Sequence, residues 1–444
     1  MIRISALRAL CVLAIVAAAL SLVVPCAAAD DLSFERGRYK AILKNVAGDV
    51  EKNFYDPGLK SLDWKAQLEA ASQRIDKAKS VTEMLVAIYV FVDKLQDSHT
   101  KFLPPARAIK LFYGFDAKAI GDDIRIFELR GGDAAEKAGL KLGDRLISIN
   151  GYRCDRATFD VMMIDLRVLR PRLSIDMVVQ TGNEAPRAMR LEARRKTEPA
   201  LLGSSTREGD IWDSIIEAEN EEQEHPYYTA TREGGIGYVW IRKFPSEGED
   251  FLKGLIEKVR SAKAIVIDLR SNPGGSLDCL KSFTGIFEQK ETAAFTIISR
   301  KKTEPWVVKP QRLNMNVPMY ILIDSRTGSA AELFARHFQR TGRAVVIGDH
   351  SPGRVTVSRF FSGTNGAQNA IPYGVQIGTA RAVFPDGEEL EKRGVTPDVV
   401  CIPTGDDMMN DRDVCQDKAV SMARDKIGYK VKEKEKVAVG SSGD

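Results

Sequence analysis

Four short apolar runs constrain this chain most: GIGYVWI from Gly235, AIVIDLR from Ala264, MYILID from Met319 and AVVIGD from Ala344. Each is of strand length, and helical patterns lie between several of them. Runs that are apolar throughout, rather than alternating, belong to strands covered on both faces. The reading is an α/β core around a largely buried sheet.

Other textures flank that core. Residues from about Ser33 to Leu95 show helical apolar spacing, as in Leu85, Ile88, Phe91, Val92 and Leu95. From about Pro104 to Lys196, short alternating segments and glycine turns predict a small β-rich module. A polar connection follows, with the acidic run EAENEEQE, and the chain closes on KVKEKEKVAVGSSGD, a solvated tail. The expected division is a signal segment at 1–29, a helical region at 30–103, the β-rich module at 104–196, a linker at 197–235, the core at 236–405 and a tail at 406–444.

The first 29 residues carry Arg3 and Arg8, an apolar stretch from Ala9 to Val24, and small residues at Ala27, Ala28 and Ala29. That order reads as a secretory signal cleaved after Ala29, and it implies an exported, periplasmic or secreted, mature chain without a permanent span. Pro25 before Cys26 argues against a lipoprotein site. The formal charge of +4 drops by two when Arg3 and Arg8 leave, too little to point to nucleic acid or an anionic membrane. Of the mature cysteines, Cys401 and Cys415 are close enough in sequence to be paired, and nothing has zinc-ligand spacing. There is no HExxH, no Walker motif and no GxGxxG after a strand, so no metal or other cofactor is expected.

The sharpest local feature is the MYILID strand running through Thr327 and Gly328 into Ser329 and then a helix. Serine at that place is a good N-cap, and Glu332 three positions on completes a capping box. The same helix start also offers free N–H groups and positive potential to a developing oxyanion. DLRSNPGG, from Asp268 to Gly275, follows another core strand, and its paired glycines can turn backbone N–H groups toward a carbonyl. LQDSHTKF, from Leu95 to Phe102, holds Ser98 and His99; the other histidines are His225, His337 and His350.

DSHTKF, AAEKAGLKLGDRLISING, DLRSNPGG, GSAAEL and the closing GVTPD, in that order, resemble the C-terminal processing peptidases, or tail-specific proteases, related to the tricorn core protease. The resemblance covers about Leu95 to Asp398. It implies a ClpP/crotonase-like α/β serine peptidase core with an inserted PDZ domain, and it makes Ser329 the nucleophile. The processing peptidases of this family use a lysine base in a GK motif and a glutamine four residues later; here those positions are Arg354, after Gly353, and Ser358. Arginine stays protonated, so the lysine mechanism has no base.

The tricorn branch instead uses a histidine preceded by a serine, with a glutamate further along. By that resemblance His99 takes the Ser329 proton, while Ser98 and Glu391 hold the imidazole; Glu388 and Glu389 are alternative carboxylates. The amide of Ala330 and that of Gly274 or Gly275 would form the oxyanion hole. The PDZ-like module implies strand addition by an extended peptide, with Tyr113-Gly114-Phe115 as the carboxylate nest and a groove helix near Ala157 to Leu169, where Met162, Met163 and Leu166 face the groove or the core. The implied partner is a flexible polypeptide with an accessible C-terminus. The rival expectation is an inactive PDZ-bearing envelope protein, motivated by Arg354; a third is a hydrolase of non-peptide acyl groups. The oligomeric state is not legible.

Overall fold

The computed structural model describes residues 27–105, 109–197, 227–232, 234–246, 249–366 and 370–429. The expected signal, except for residues 27–29, the acidic run and the KVKEKE tail lie outside them. No helix among the described residues is long and apolar enough to cross a membrane.

The N-terminal region consists of α1 (Ala27–Asn53), α2 (Trp64–Lys77) and α3 (Val81–Asp93). Asp63 caps α2 by accepting the Ala66 amide at 2.9 Å, and Ser80 caps α3 by accepting the Glu83 amide at 3.2 Å. The periodic residues Leu85, Ile88, Phe91, Val92 and Leu95 are all buried, against Ile42, Val46, Val50 and Ile75. The helical region was expected to reach 103. It ends at Asp93, because β1 (Lys101–Leu103) pairs with a core strand some 270 residues later in the chain.

The β-rich module contains β2 (Ile109–Phe112), β3 (Phe115–Ile120), β4 (Asp123–Leu129), α4 (Ala134–Lys137), β5 (Arg145–Ile149), β6 (Tyr152–Arg153), α5 (Phe159–Ile164) with a π-helical turn at Asp165–Leu169, β7 (Ser174–Gln180), β8 (Arg187–Glu192) and β9 (Arg194–Thr197). Its antiparallel sheet has the order β3-β4-β5-β7-β8, so β3 is an edge strand. Along β7, Ile175, Met177 and Val179 alternate inward, as one-sided burial requires. They join Phe115, Ile126, Leu146, Phe159 and Leu166 in a core separate from the others, with Met162 and Met163 partly buried against it.

The α/β core follows: β10 (Tyr227–Arg232), β11 (Ile236–Ile241), α6 (Glu249–Lys258), β12 (Ala264–Asp268), α7 (Leu277–Gly285), β13 (Thr292–Ser299), β14 (Thr303–Val308), β15 (Met319–Ile323), α8 (Ala330–Arg340), β16 (Ala344–Gly348), β17 (Val357–Asn365), β18 (Ile371–Val383), β19 (Val399–Val400), α9 (Gly405–Met409) and α10 (Val414–Lys426). The main sheet has the order β10-β11-β12-β15-β16-β19 and is parallel apart from β10. Every residue of β12 and β15 is buried, which accounts for their unbroken apolar sequence. A second, antiparallel sheet runs β1-β18-β13-β14, with β17 also on β18.

Two expected boundaries are corrected. The core begins at β10, inside the expected linker, since Thr229 to Arg232 pair with Val239 to Ile236. The expected tail from 406 contains α10, whose Cys415, Ala419, Val420 and Ala423 pack on the main sheet. Their spacing is a helical stripe of mostly small residues.

Candidate active site

Ser329 joins β15 to α8. An ordinary N-cap residue is extended, but Ser329 has φ 53 and ψ −122, a conformation that costs a non-glycine residue on the order of 1–3 kcal/mol. The bend is held from several sides. Asp324 N donates to Thr327 Oγ1 at 2.9 Å, Thr327 Oγ1 donates to Leu269 O at 2.9 Å, and Gly328 N donates to Asn272 O at 2.8 Å. Glu332, fully buried, accepts Ser329 N at 3.0 Å.

Glu332 does more than close a capping box. Its carboxylate also accepts Arg354 N at 2.7 Å, Gly353 N at 2.7 Å and Ser351 Oγ at 2.6 Å. Burial pushes the carboxyl up to about 7, against four donors that favour the charged form. The segment 351–354 is thereby tied to the Ser329 bend.

The DLRSNPGG loop lies directly on the serine. A Cβ on Gly274 (φ 106) would come within 2.6 Å of Ser329 Cβ and 2.9 Å of Ala330 N. A Cβ on Gly275 (φ 132) would lie 2.0 Å from Phe244 O. Only glycine fits either place. Sequence reasoning left the choice of amide open, and the geometry narrows it. Gly274 N donates to Asn272 Oδ1 at 2.8 Å, so it is spent. Among the described residues no protein acceptor takes the N–H of Gly275 or of Ala330.

Ser98 and His99 lie in the turn between α3 and β1. Asp97 shapes it, accepting His99 N at 3.2 Å and Thr100 Oγ1 at 2.7 Å. Ser98 Oγ donates to Glu391 Oε2 at 2.9 Å, Ser98 N donates to Glu391 Oε1 at 2.9 Å, and Ser98 Oγ lies 2.9 Å from His99 Nδ1. The hydroxyl has one proton, and the carboxylate takes it. Toward His99, Ser98 can therefore only accept, which places the imidazole proton on Nδ1 and leaves the Nε2 lone pair open. Burial lowers His99 to about 4; Glu391 opposes this, while Lys101 and Arg354 add to it. The neutral ring is thus the resting form at neutral pH.

Of the three carboxylates, Glu391 alone reaches Ser98. Glu388 pairs with Arg336 at 2.6 Å, and Glu389 pairs with Arg381. Val355 N and Thr356 N complete Glu391 at 3.1 and 3.2 Å. The backbone of 353–356 therefore serves Glu332 on the Ser329 side and Glu391 on the His99 side. No hydrogen bond joins Ser329 to His99 among the described residues.

The remaining expected positions are accounted for. Arg354 turns its guanidinium to Asp160, in the first turn of α5. Ser358 accepts Gln376 Nε2 at 2.8 Å. Cys401 and Cys415 are joined as a disulfide, with Cα atoms 5.7 Å apart. Tyr113 and Phe115 are buried in the module, and Gly114 (φ 81) has no room for a Cβ beside Asp133. The module meets the core along the edge of β3: Arg326 Nη2 donates to Ala117 O at 2.8 Å, Ser325 Oγ donates to Ala119 O, and Lys118 pairs with Asp324 at 2.6 Å. Burial alone would raise Asp324; Lys118 and the amides of Ser271 and Arg326 outweigh it and hold the carboxyl well below the usual range.

Sequence reasoning passed over Asn272, Ser351 and Asp97, and took Glu332 only as a cap. Asp97 and Asn272 lie inside quoted motifs, but what they hold depends on where their side chains point.

Residues 235–401 match the model of Peptidase family S41. The chain is similar to a carboxyl-terminal-processing protease of Picosynechococcus, at 23% identity over 72% of this chain and 74% of that protein. It is also similar to the carboxy-terminal processing protease CtpB of Bacillus subtilis, at 26% identity over 60% of this chain and 50% of the relative. In three dimensions it shares the fold of mature CPAF, with a TM-score of 0.66, 13% identity, and 88% of this chain and 97% of that one covered.

Proposed function

We propose that this chain, whose residues 235–401 match the model of peptidase family S41, is an exported serine endopeptidase with Ser329 as nucleophile and His99 as base. The observation that carries this reading is the serine placed between His99 and Glu391. Because Ser98 must give its proton to the carboxylate and accept from Nδ1–H, His99 Nε2 is left as the acceptor a serine hydroxyl needs. Closure of Ser329 onto His99 accompanies substrate binding, since catalytic hydrogen bonds tighten in the Michaelis complex.

Ala330 and Gly275 supply the oxyanion amides, each worth roughly 3 kcal/mol of transition-state stabilisation in comparable enzymes. Arg354 takes no part in proton transfer. The module is a PDZ domain that receives a polypeptide C-terminus by strand addition to β3, beside the loop Tyr113-Gly114-Phe115. To do so the peptide displaces Ser325 and Arg326 from the β3 carbonyls.

The test is fluorophosphonate labelling of mature protein, read by intact mass, for wild type, Ser329→Ala and His99→Ala. Labelling lost in both variants supports the reading. Labelling that survives His99→Ala removes the histidine base, and folded wild type that never labels leaves the inactive binding protein motivated by Arg354.

A further inference from the structure

Arg270 stands immediately ahead of the loop that carries the oxyanion glycine. Its guanidinium is forked between two carboxylates: Nε and Nη2 reach Asp268 Oδ1 and Oδ2 at 3.0 and 2.5 Å, while Nη1 and Nη2 reach Asp413 Oδ1 and Oδ2 at 2.8 and 2.6 Å. Bidentate pairs of this kind fix orientation as well as charge. Asp268 is a β12 residue, buried and also bound by Tyr238 OH at 2.6 Å, so it is held by the sheet and by a second partner. Asp413 comes from the far C-terminal segment.

Asp413 is itself held on both sides. It caps α10 by accepting Gln416 N at 3.0 Å. Two residues later Cys415 is tied to Cys401, whose own amide donates to Gly348 O at 2.9 Å on the main sheet. The disulfide thus anchors the start of α10 to the sheet, and α10 presents Asp413 to Arg270. The next residue, Ser271, has φ 59, a left-handed backbone that persists only when its neighbours are fixed. From there Asn272 orients Gly274, while the Gly275 N–H has no protein acceptor among the described residues.

We propose that Asp413, clamped by the Cys401–Cys415 disulfide, is a positioning residue for the oxyanion loop at Ser271 to Gly275. The inference rests on Ser329 being the nucleophile only for its catalytic consequence. The positioning itself can be read without catalysis.

Asp413→Asn is the informative variant, because asparagine caps a helix as well as aspartate does while giving up the charge on Arg270. Hydrogen exchange of the peptide spanning 271–276 is expected to speed up about tenfold in D413N, with α10 unchanged. Fluorophosphonate labelling of Ser329 is expected to slow about tenfold or more, since a misplaced oxyanion donor is costly. KM for a peptide substrate stays where it was. The double variant Cys401→Ser/Cys415→Ser should loosen the same loop, and adding D413N to it should cost little more, because both act on one linkage. Unchanged exchange at 271–276 in D413N overturns the proposal, whether or not the wild type labels. Loosened exchange with wild-type labelling overturns its catalytic part alone, and an unlabelled wild type counts against the serine mechanism, not against the clamp.

Discussion

Replacing Ser98 with alanine separates the relay from the rest of the site. The change deletes two hydrogen bonds, one accepted from His99 Nδ1 at 2.9 Å and one donated to Glu391 at 2.9 Å. Glu391 keeps the amides of Ser98, Val355 and Thr356, so no buried charge is left without partners. One of the lost bonds is charge-assisted and the other leaves the His99 Nδ1–H without its acceptor, so the stability cost is about 2–4 kcal/mol. The catalytic cost is larger. With no acceptor at Nδ1, nothing favours the tautomer that keeps Nε2 open, and the ring loses its hold. General-base catalysis contributes roughly 10²–10⁴-fold, so kcat on an unfolded reporter polypeptide should fall at least about 100-fold while KM changes little. Ser98→Thr, which keeps the hydroxyl, should recover most of the rate. Ser98→Ala with more than about half of the wild-type kcat and an unaltered Tm would refute the relay.

Four further outcomes follow from the same geometry. The labelling rate should fall in two steps on acidification, one near pH 7 as Glu332 takes a proton and the Ser329 bend loses a brace, and one near pH 4 as His99 does. Arg354→Gln removes a positive charge and should raise only the lower step, and a single step near about 6.5 would contradict the burial argued for His99. The low folded-state value of His99 also makes stability fall as pH drops from about 6.5 toward 4, a slope that His99→Gln should flatten in urea titrations. Ser325→Ala/Arg326→Ala should tighten calorimetric binding of a C-terminal peptide about three- to tenfold, because two β3 carbonyls no longer have to be released; unchanged affinity would mean that peptides do not add there. Lys118→Met leaves Asp324 buried without its cation and should cost about 3–5 kcal/mol in denaturant unfolding, part of which Asp324→Asn returns; a loss under about 0.5 kcal/mol would show that the pair is not buried in solution.

The core strands β11, β12, β15 and β16 were legible because burial on both faces writes itself as a continuous apolar run. The second sheet was not. β17 mixes half-buried Phe360 and Phe361 with exposed Arg359 and Ser362, and it pairs with β18 through contacts that no local pattern records. Helix α10 escaped notice because its buried face is cysteine and alanine more than large apolar residues. At the site, Ser329, Ser98 and His99 stood out through neighbours in sequence, whereas the engagement of Gly274 N by Asn272, and the contact of Ser98 with Glu391 and not with Glu388 or Glu389, depend on side-chain directions that no sequence pattern records.

Arg354 shows why a substitution that looked disabling in sequence is structurally quiet. What the fold takes from residues 353–356 is backbone. The amides of Gly353 and Arg354 go to Glu332, and those of Val355 and Thr356 go to Glu391. Gly353 itself is demanding, with φ 71 and a Cβ position 2.5 Å from Arg393 N, whereas the side chain at 354 is half-exposed and, among the described residues, bound to Asp160 alone. Any residue with an amide can do the work of position 354 in bracing the site. Its side chain is then free to leave proton transfer, and on the proposed reading the base comes from the turn at Ser98 and His99, whose Glu391 is held by the other end of the same segment.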